Sequence, residues 1–519
     1  MIKKRLSALL SNINIIESQG PLDSHITGLA YDSRDVAEGT LFFALSGLHT
    51  DGHRYIEEAL SRGAKAVIHS KPLTQYHRDI TYIRTANPRT DMAPVAAAFY
   101  DHPSRELTVI GVTGTDGKST TVYLVQQLLE KSGLSAGFIS TVQVQTGKEA
   151  EKNKLRQSTP EAVDIQRILR TMADNGKQYA VIEATSHGLS AKNNRLGDIF
   201  FNTAVFTNIS HEHLEFHGSF EQYRYDKAEL FRSLDRRYSG TSTPGPDAGS
   251  MRGGPLGVVN ADDPHASYFR EATSAPVFGF SLKDQTADLF ADDIETLPDR
   301  SSFRVTAGSI QIKTTAPLPG AVNIENSLAA LLAVIKTTGM QPAEVAPLLS
   351  SCLPPPGRMR SIRRGQPFTV IIDYAHTPGS FSKLLPEIKK NCRRKLIVLF
   401  GSAGERDREK RTIQGSIACR WADTIILADE DPRGEPPRAI LEEIAAGCSS
   451  KTEGENLFLI PDRSKAIEKA FSCAETDDTV LLLGKGHEQS IIYCDTVLPW
   501  DEASAAEAAL SKLGFTSEC

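Results

Sequence analysis

Short apolar runs at residues 66–68, 107–112, 179–182, 369–372, 396–400 and 480–483 alternate with longer stretches whose apolar positions recur at helical spacing. A strand buried on both faces reads as a continuous apolar run, and interleaved helices cover such faces, so the pattern predicts parallel sheets layered between helices. The loops after the C-terminal ends of those strands are then the places to look for chemistry. At the start, Lys3, Lys4 and Arg5 precede an apolar stretch that ends by residue 10. Ser11, Asn12, Asn14, Glu17 and Ser18 interrupt it before a signal core or membrane span is complete, so an amphipathic helix over residues 1–10 is expected.

Proline and glycine punctuate the pattern. His102-Pro103-Ser104 precedes the run at 107, and Pro354-Pro355-Pro356-Gly357 excludes a continuing helix. The expected domains are 1–104, 105–353 and 354–519, which suits a 519-residue chain at roughly 150 residues per domain. Residues 238–257 are rich in Gly, Ser and Pro and poor in large apolar side chains, which predicts a mobile loop inside the middle domain. A net charge of −6 with no long basic stretch argues against a nucleic-acid partner. The seven cysteines stand singly, with no C-x-x-C pair, so neither a disulfide framework nor a secreted context is expected; a reducing cytoplasm fits.

Chemistry first shows at Gly114-Thr115-Asp116-Gly117-Lys118-Ser119-Thr120, which follows an apolar run and opens a helical pattern. Glycines let backbone N–H groups close around phosphates, the helix N-terminus adds positive potential, Lys118 meets the outer phosphates, and Ser119 can ligate magnesium. Val112 stands where a strict P-loop has its first glycine. A glycine turn opening a helix with an exposed lysine is the reading that needs no ligand.

The same loop resembles the G-T-[ND]-G-K-[ST]-[ST] loop of the Mur ligase family, and other segments match that family in order. They are Glu183-Ala184-Thr185-Ser186-His187-Gly188, Thr207-Asn208 through His213, Pro319-Gly320 with Asn323 and Asn326, Gly357-Arg358-Met359, and Asp373-Tyr374-Ala375-His376-Thr377-Pro378. The resemblance implies an α/β chain of three domains, with Rossmann-like N- and C-terminal domains around a central P-loop ATPase-type parallel sheet. Residues 1–104 would bind a UDP-linked substrate, 105–353 would bind ATP, and 354–519 would bind the incoming amino acid and close on ATP. Tyr31-Asp32-Ser33-Arg34, Ser158-Thr159-Pro160 and Gly484-Lys485-Gly486-His487-Glu488 resemble the member type that adds a diamino acid to UDP-N-acetylmuramoyl-L-alanyl-D-glutamate. The implied enzyme is a cytoplasmic, ADP-producing peptidoglycan-precursor ligase acting as a monomer on small molecules, without nucleic acid or membrane insertion.

The implied chemistry phosphorylates the acceptor's carboxylate with ATP, and an amine then attacks the acyl phosphate. Anions crowd at each step, so charge neutralisation and positioning should dominate. By resemblance, Gly114, Thr115, Asp116, Gly117, Lys118, Ser119, Thr120, Asn323, Asn326, Arg358 and Asp373 lie at ATP. Ser119, Glu183, His213 and Lys227 would hold Mg2+, with Lys227 carbamylated, and Lys118, Lys227, Glu183 and His213 form the catalytic set. Read without the family, Glu183 is as readily a solvated strand end, Lys227 a helix-surface lysine, and Asn323 and Asn326 helix caps.

Tyr31, Ser33, Ser158, Thr159, Thr185, Asn193 and Arg195 match the UDP-substrate positions, with Asn193 in place of an expected glutamine, and the loop at 48–52 would sit beside Ser33. Arg406, Glu430, Asp431, Pro432, Arg433, Gly484 and Glu488 match the amino-acid site. Two arginines suit a substrate with carboxylates at both ends, as in meso-diaminopimelate. The usual diaminopimelate signature is D-N-P-R, whereas E-D-P-R adds an acid that would favour the bare terminal ammonium of lysine or ornithine; both readings stay open, beside a plain Pro-Arg surface turn. Arg360 replaces a glutamate and could alter how the third domain docks. The rival functions are a folylpolyglutamate-synthase-like ligase, which needs no uridine site, and a non-enzymatic ATP-binding switch, which would leave Lys227, Arg406 and Arg433 without a shared task.

Overall fold

Each apolar run does become a strand of a mostly parallel sheet. The computed structural model describes residues 2–47, 50–153, 155, 157–210, 214–238, 254–297, 300–494 and 496–516. Among them no helix is long and apolar enough to cross a membrane. By compactness the chain falls into two units, one built on residues 1–292 with 304–312 and 325–349, the other on 350–519 with 293–303 and 313–324.

The first unit carries two large sheets and a two-stranded one. The N-terminal one has five strands in the order Ile15–Gln19, Thr81–Thr85, Ala64–His69, Thr40–Phe43, Gly28–Ala30. All neighbours are parallel except Ile15–Gln19, which runs antiparallel on its edge. In the larger sheet, the strands Ala136–Ile139, Tyr179–Glu183, Thr108–Thr113, Phe201–Phe206, Leu256–Asn260 and Val277–Ser281 lie side by side and parallel. Thr108–Thr113, Tyr179–Glu183 and Phe201–Phe206 are central, so the loops after them converge at one end.

Specific contacts cross the limit expected near residue 104. Tyr31 donates to Asp164 at 2.6 Å, Arg89 to Glu161 at 2.6 Å, and Asn194 to the Thr90 carbonyl at 2.9 Å. Ala162 and Val163 complete the apolar core formed by Leu6, Leu41, Ile68 and Phe99.

Two expectations need correction. Residues 1–10 are not one helix: Lys4–Arg5 is a short strand paired with His25–Ile26, and only Leu6–Leu9 is helical. Ladder hydrogen bonds claim the backbone first, and the apolar positions Leu6, Leu9 and Leu10 are buried all the same. The supposed loop at 238–257 is shorter at both ends, since Phe220–Tyr238 is a helix and Leu256–Asn260 a strand; residues 239–253 lie outside the described residues.

In the second unit, six strands run in the order Arg360–Ile362, Thr369–Asp373, Thr479–Leu483, Leu396–Phe400, Thr424–Leu427, Leu457–Leu459, parallel except at the first edge. Arg360 stays within this unit, 4.0 Å from Glu507, which also accepts from Arg364 at 2.6 Å. The strand ends are tied by Arg463, fully buried, which donates to the carbonyls of Asp429 and Leu483 and to the Glu502 carboxylate at 2.6 Å. Asp429 is buried beside it, with one oxygen accepting from the Tyr493 hydroxyl at 2.8 Å; burial pushes its carboxyl up to about 6.

Both tryptophans, Trp421 and Trp500, lie in this unit, so their fluorescence reports its unfolding. Arg463→Ala strands a buried carboxylate and two carbonyls and is expected to cost about 3–5 kcal/mol, seen as a lower urea midpoint; an unchanged midpoint would contradict the clamp. Asp429 binds its proton more tightly folded than unfolded, so its ionisation removes stability as pH rises through about 4 to 6 and the loss is constant above. Asp429→Asn should therefore gain on the wild type between pH 4 and 7 in the same titration, and a pH-independent difference would count against a buried carboxyl.

Candidate active site

The turn after the central strand Thr108–Thr113 opens directly into the helix Lys118–Lys131. Gly114 and Gly117 both have positive φ, and neither leaves room for a side chain: a Cβ would lie 1.9 Å from Thr207 Oγ1 at Gly114 and 2.0 Å from Asn326 Oδ1 at Gly117. The Thr207-Asn208 segment holds the turn from one side. Asn208 Oδ1 accepts from the Asp116 N–H at 2.9 Å, the Asn208 carbonyl accepts from the Thr115 N–H at 2.8 Å, and Thr207 Oγ1 donates to the Asp116 carbonyl at 2.7 Å.

Two ammonium groups meet at this turn. Lys118 Nζ donates to the carbonyls of Gly114 and Thr115 at 3.0 and 2.8 Å, and Lys227 Nζ donates to the same Gly114 carbonyl at 2.6 Å. The helix-surface reading of Lys227 fails, since the side chain is 2% exposed. Its ammonium also lies 4.5 Å from the centroid of the Tyr223 ring, whose hydroxyl is 3.0 Å from Thr115 Oγ1. Two like charges this close repel by on the order of 3 kcal/mol at an effective dielectric near 20.

Opposite them stands Glu183, at the end of the neighbouring strand and likewise 2% exposed, so it is no solvated strand end. Its carboxylate accepts from the Ser119 hydroxyl at 2.9 Å and from the Thr141 N–H at 2.9 Å. Thr141 Oγ1 bridges onward, 3.0 Å from both Glu183 oxygens and 2.7 Å from Ser158 Oγ. Ser119 and Glu183 are hard oxygen donors side by side, which suits a magnesium ion completed by phosphate oxygens and water. Among the described residues no group of three or more His, Cys, Asp or Glu converges as a metal cluster. His213 lies outside the described residues.

A cavity of about 280 Å3 is lined by Lys118, Gln157, Ser158, Thr159, Thr185, Ser186, His187, Arg195, Tyr223 and Lys227. Six positions singled out from the sequence therefore share one wall. Thr159 Oγ1 donates to the Glu183 carbonyl at 2.7 Å and accepts from Thr185 Oγ1 at 2.9 Å, so the threonines are locked to the strand that ends in Glu183. Arg195 donates to the Thr159 carbonyl at 2.9 Å and to Glu161 at 2.8 Å, and Glu161 also accepts from Arg89. Asn193 does not line the cavity but supports it, its amide donating to the His187 carbonyl at 2.9 Å.

Tyr31 and Ser33 are not part of this lining. The Tyr31 phenol donates to Asp164, and burial with that bond pushes it far above its ordinary range. Ser33 Oγ donates to Glu58 at 3.0 Å. Of the loop at 48–52, Leu48 and His49 lie outside the described residues, and Asp51 accepts from Lys71 at 2.6 Å.

In the second unit, Asp373 accepts from the N–H groups of Met359 and Ala375 at 2.9 and 2.8 Å, fixing the turn that carries Arg358, whose guanidinium lies 5.0 Å from the Tyr374 ring centroid. Asn323 donates to the Pro319 carbonyl at 2.7 Å, the local bond expected near a helix start. Arg433 is half-buried at φ 53°, with its N–H donating to the Ile492 carbonyl at 2.9 Å and its Nε buried without a partner, so it is no plain surface turn. Pro432 is buried beside it, and Arg406 is exposed.

The acid added by E-D-P-R is already compensated. Asp431 accepts from Lys485 Nζ at 3.0 Å and from the Ile492 N–H at 3.0 Å, and Lys485 also donates to Glu488 at 2.5 Å. Glu430 instead keeps a buried carboxylate oxygen, Oε2, without a partner, and a Cβ on Gly484 would lie 3.0 Å from it. Sequence reasoning missed Lys485, Arg411 and Thr141. Lys485 lay inside a quoted motif without a role; Arg411, which braces the Ala403 carbonyl and Glu435, and Thr141, on a loop, carry no local pattern that would have marked them.

Comparison with known proteins gives three family matches in succession: "Mur ligase family, catalytic domain" at 25–102, "Mur ligase middle domain" at 112–334 and "Mur ligase, glutamate ligase domain" at 357–486. A Roseiflexus sp. (strain RS-1) protein named UDP-N-acetylmuramyl-tripeptide synthetase is 46% identical over 516 residues, covering 98% of this chain and 99% of that one. A Treponema pallidum (strain Nichols) protein of the same name is 44% identical, covering 98% of each. A solved UDP-N-acetylmuramoyl-L-alanyl-D-glutamate–2,6-diaminopimelate ligase superposes with a TM-score of 0.65 at 27% identity, covering 99% of this chain and all of that one. With a phosphate turn, an acidic strand end and this likeness running from one terminus to the other, the chain belongs to the Mur ligase family.

Proposed function

We propose that this chain is the ATP-dependent ligase that joins a diamino acid to UDP-N-acetylmuramoyl-L-alanyl-D-glutamate through an acyl phosphate, in cytoplasmic synthesis of the peptidoglycan precursor. The observation that carries the reading is the cavity in which Lys118 and Lys227 face Ser158, Thr159, Thr185 and Arg195. The names of the Roseiflexus and Treponema relatives and of the structural neighbour supply the substrate.

Lys118 neutralises the outer phosphates of ATP, and the N–H groups of the turn at 114–117 with Thr120 receive the others. Asn323, Asn326, Arg358 and Asp373 complete the nucleotide contacts, and Tyr31 and Ser33 serve the UDP end. Arg195 and the paired threonines receive the acceptor's peptide, whose free carboxylate takes the phosphoryl group. Ser119, Glu183 and His213 hold Mg2+, which supplies charge neutralisation at the phosphates. Lys227 completes that set as a carbamate: its ammonium gives up one proton, the free amine adds to carbon dioxide and loses a second, and a buried cation beside Lys118 becomes an anion. The change replaces repulsion between the Lys118 and Lys227 side chains with attraction.

Arg433 grips a carboxylate of the incoming amino acid, with Arg406, Glu430, Asp431, Pro432, Gly484 and Glu488 around it. Asp431 is neutralised by Lys485, and Glu430 is the acid with a free oxygen for an ammonium. The domains follow the limits 1–104, 105–353 and 354–519, and the enzyme acts as a monomer.

Ligation assayed with the UDP-dipeptide and, separately, diaminopimelate, lysine and ornithine tests the reading; no amide with any of them would remove it. Lys227→Ala is expected to abolish turnover, with partial recovery in millimolar acetate or formate that refills the carboxylate. Wild-type turnover without rescue would refute the carbamate role. Arg433→Ala should raise the amino-acid KM at least tenfold, since each charged hydrogen bond contributes about 1.5–3 kcal/mol. An unchanged KM would take Arg433 out of the pocket.

A further inference from the structure

Beside the cavity, outside every role assigned above, three buried polar side chains form a line. His217 Nδ1 lies 2.7 Å from Asp226 Oδ2, and His217 Nε2 lies 3.0 Å from Ser186 Oγ. Gln222 Nε2 donates to the remaining Asp226 oxygen at 2.9 Å. Ser186, Asp226 and His217 are 2%, 4% and 5% exposed, and Ser186 is also a lining residue of the cavity. The line joins three elements: Ser186–Leu189 at the end of the acidic strand, Leu214–His217, and the helix Phe220–Tyr238, on which Asp226 precedes Lys227.

With the His217 ring singly protonated, the order of these partners sets where the protons point. A carboxylate only accepts, so the ring nitrogen facing Asp226 carries its hydrogen. In the neutral imidazole Nε2 is then an acceptor and must receive the Ser186 O–H. The hydroxyl that reaches the cavity is left with lone pairs and no proton to offer. Around it the cavity is rich in donors, Lys118, Lys227 and Arg195 among them. Those suit carboxylate and phosphate oxygens, whereas a peptide N–H bound there needs an acceptor.

We propose that Ser186 Oγ receives an N–H of the acceptor's peptide, and that His217 and Asp226 are positioning residues that hold this hydroxyl in its accepting orientation. The proposal rests on reading the cavity as the acceptor site. Ser186→Ala removes the acceptor. His217→Asn keeps a donor toward Asp226 but withdraws the partner of the Ser186 O–H. His217→Gln reaches the Nε2 position and offers an amide oxygen there.

In steady-state ligation by the full chain, Ser186→Ala and His217→Asn are each expected to raise the KM for the UDP-dipeptide about five- to tenfold, the loss of roughly one hydrogen bond. The KM values for ATP and the diamino acid should stay within about twofold. The double variant should be no worse than either single one, because all act through one hydroxyl, and His217→Gln should recover part of the loss. An unmoved acceptor KM in Ser186→Ala, or multiplying effects in the double variant, would overturn the proposal. So would a parallel rise in all three KM values with a lower thermal midpoint, which marks packing alone. No amide from the wild-type protein would overturn the ligase reading and this proposal with it, whereas normal amide formation with an unmoved acceptor KM overturns only the proposal.

Discussion

Two lysine ammonium groups share one carbonyl oxygen, that of Gly114, with Lys227 buried and Lys118 half-buried. That crowding is the constraint around which the first unit is organised. A buried cation is tolerable only with compensation, to which the carbonyls of Gly114 and Thr115 and the face of Tyr223 contribute here. Two ammonium groups so close are poor for stability, which the carbamate proposed for Lys227 would relieve while leaving Lys118 to receive phosphate oxygens. Phosphate and carboxylate oxygens brought into the cavity meet charge already paid for in folding, so little reorganisation remains when the phosphoryl group moves.

The sheet makes this geometry possible. Thr108–Thr113, Tyr179–Glu183 and Phe201–Phe206 are neighbours, and their C-terminal ends deliver the phosphate turn, the acidic residue and the Thr207-Asn208 brace to one edge. Helix Phe220–Tyr238 then lays Lys227 across the turn, held by Leu230 and Phe231 in the core beneath. In the second unit the same logic recurs with Arg463, whose buried guanidinium ties the ends of two strands that lead into Glu430 and Gly484. As a family member the chain is an ATP-dependent amide ligase, and both units spend buried charge at strand ends.

Strands were legible because an apolar run buried on both faces leaves few alternatives, and glycine turns because Gly114 and Gly117 have no room for a side chain. Lys118 and Ser119 stood out because strand, glycine turn and helix follow in order, whereas Glu183 and Lys227 stood out only through the family resemblance. What was not legible depends on distant partners. The residue 1–10 segment looked like a helix because its ladder partner lies 20 residues away. Asp431 looked like a free acid because its counter-ion, Lys485, is 54 positions distant. Thr141, with nothing local to mark it, bridges Glu183 and Ser158 only once the sheet is assembled.

The most direct test of the central claim, that the Lys227 amine is carried as an anion beside Lys118, is 13C NMR of the full chain equilibrated with 13C-bicarbonate. One carbamate carbonyl resonance is predicted, present in the wild type and missing from Lys227→Ala. No such resonance in active enzyme, or one that survives in the variant, would contradict it.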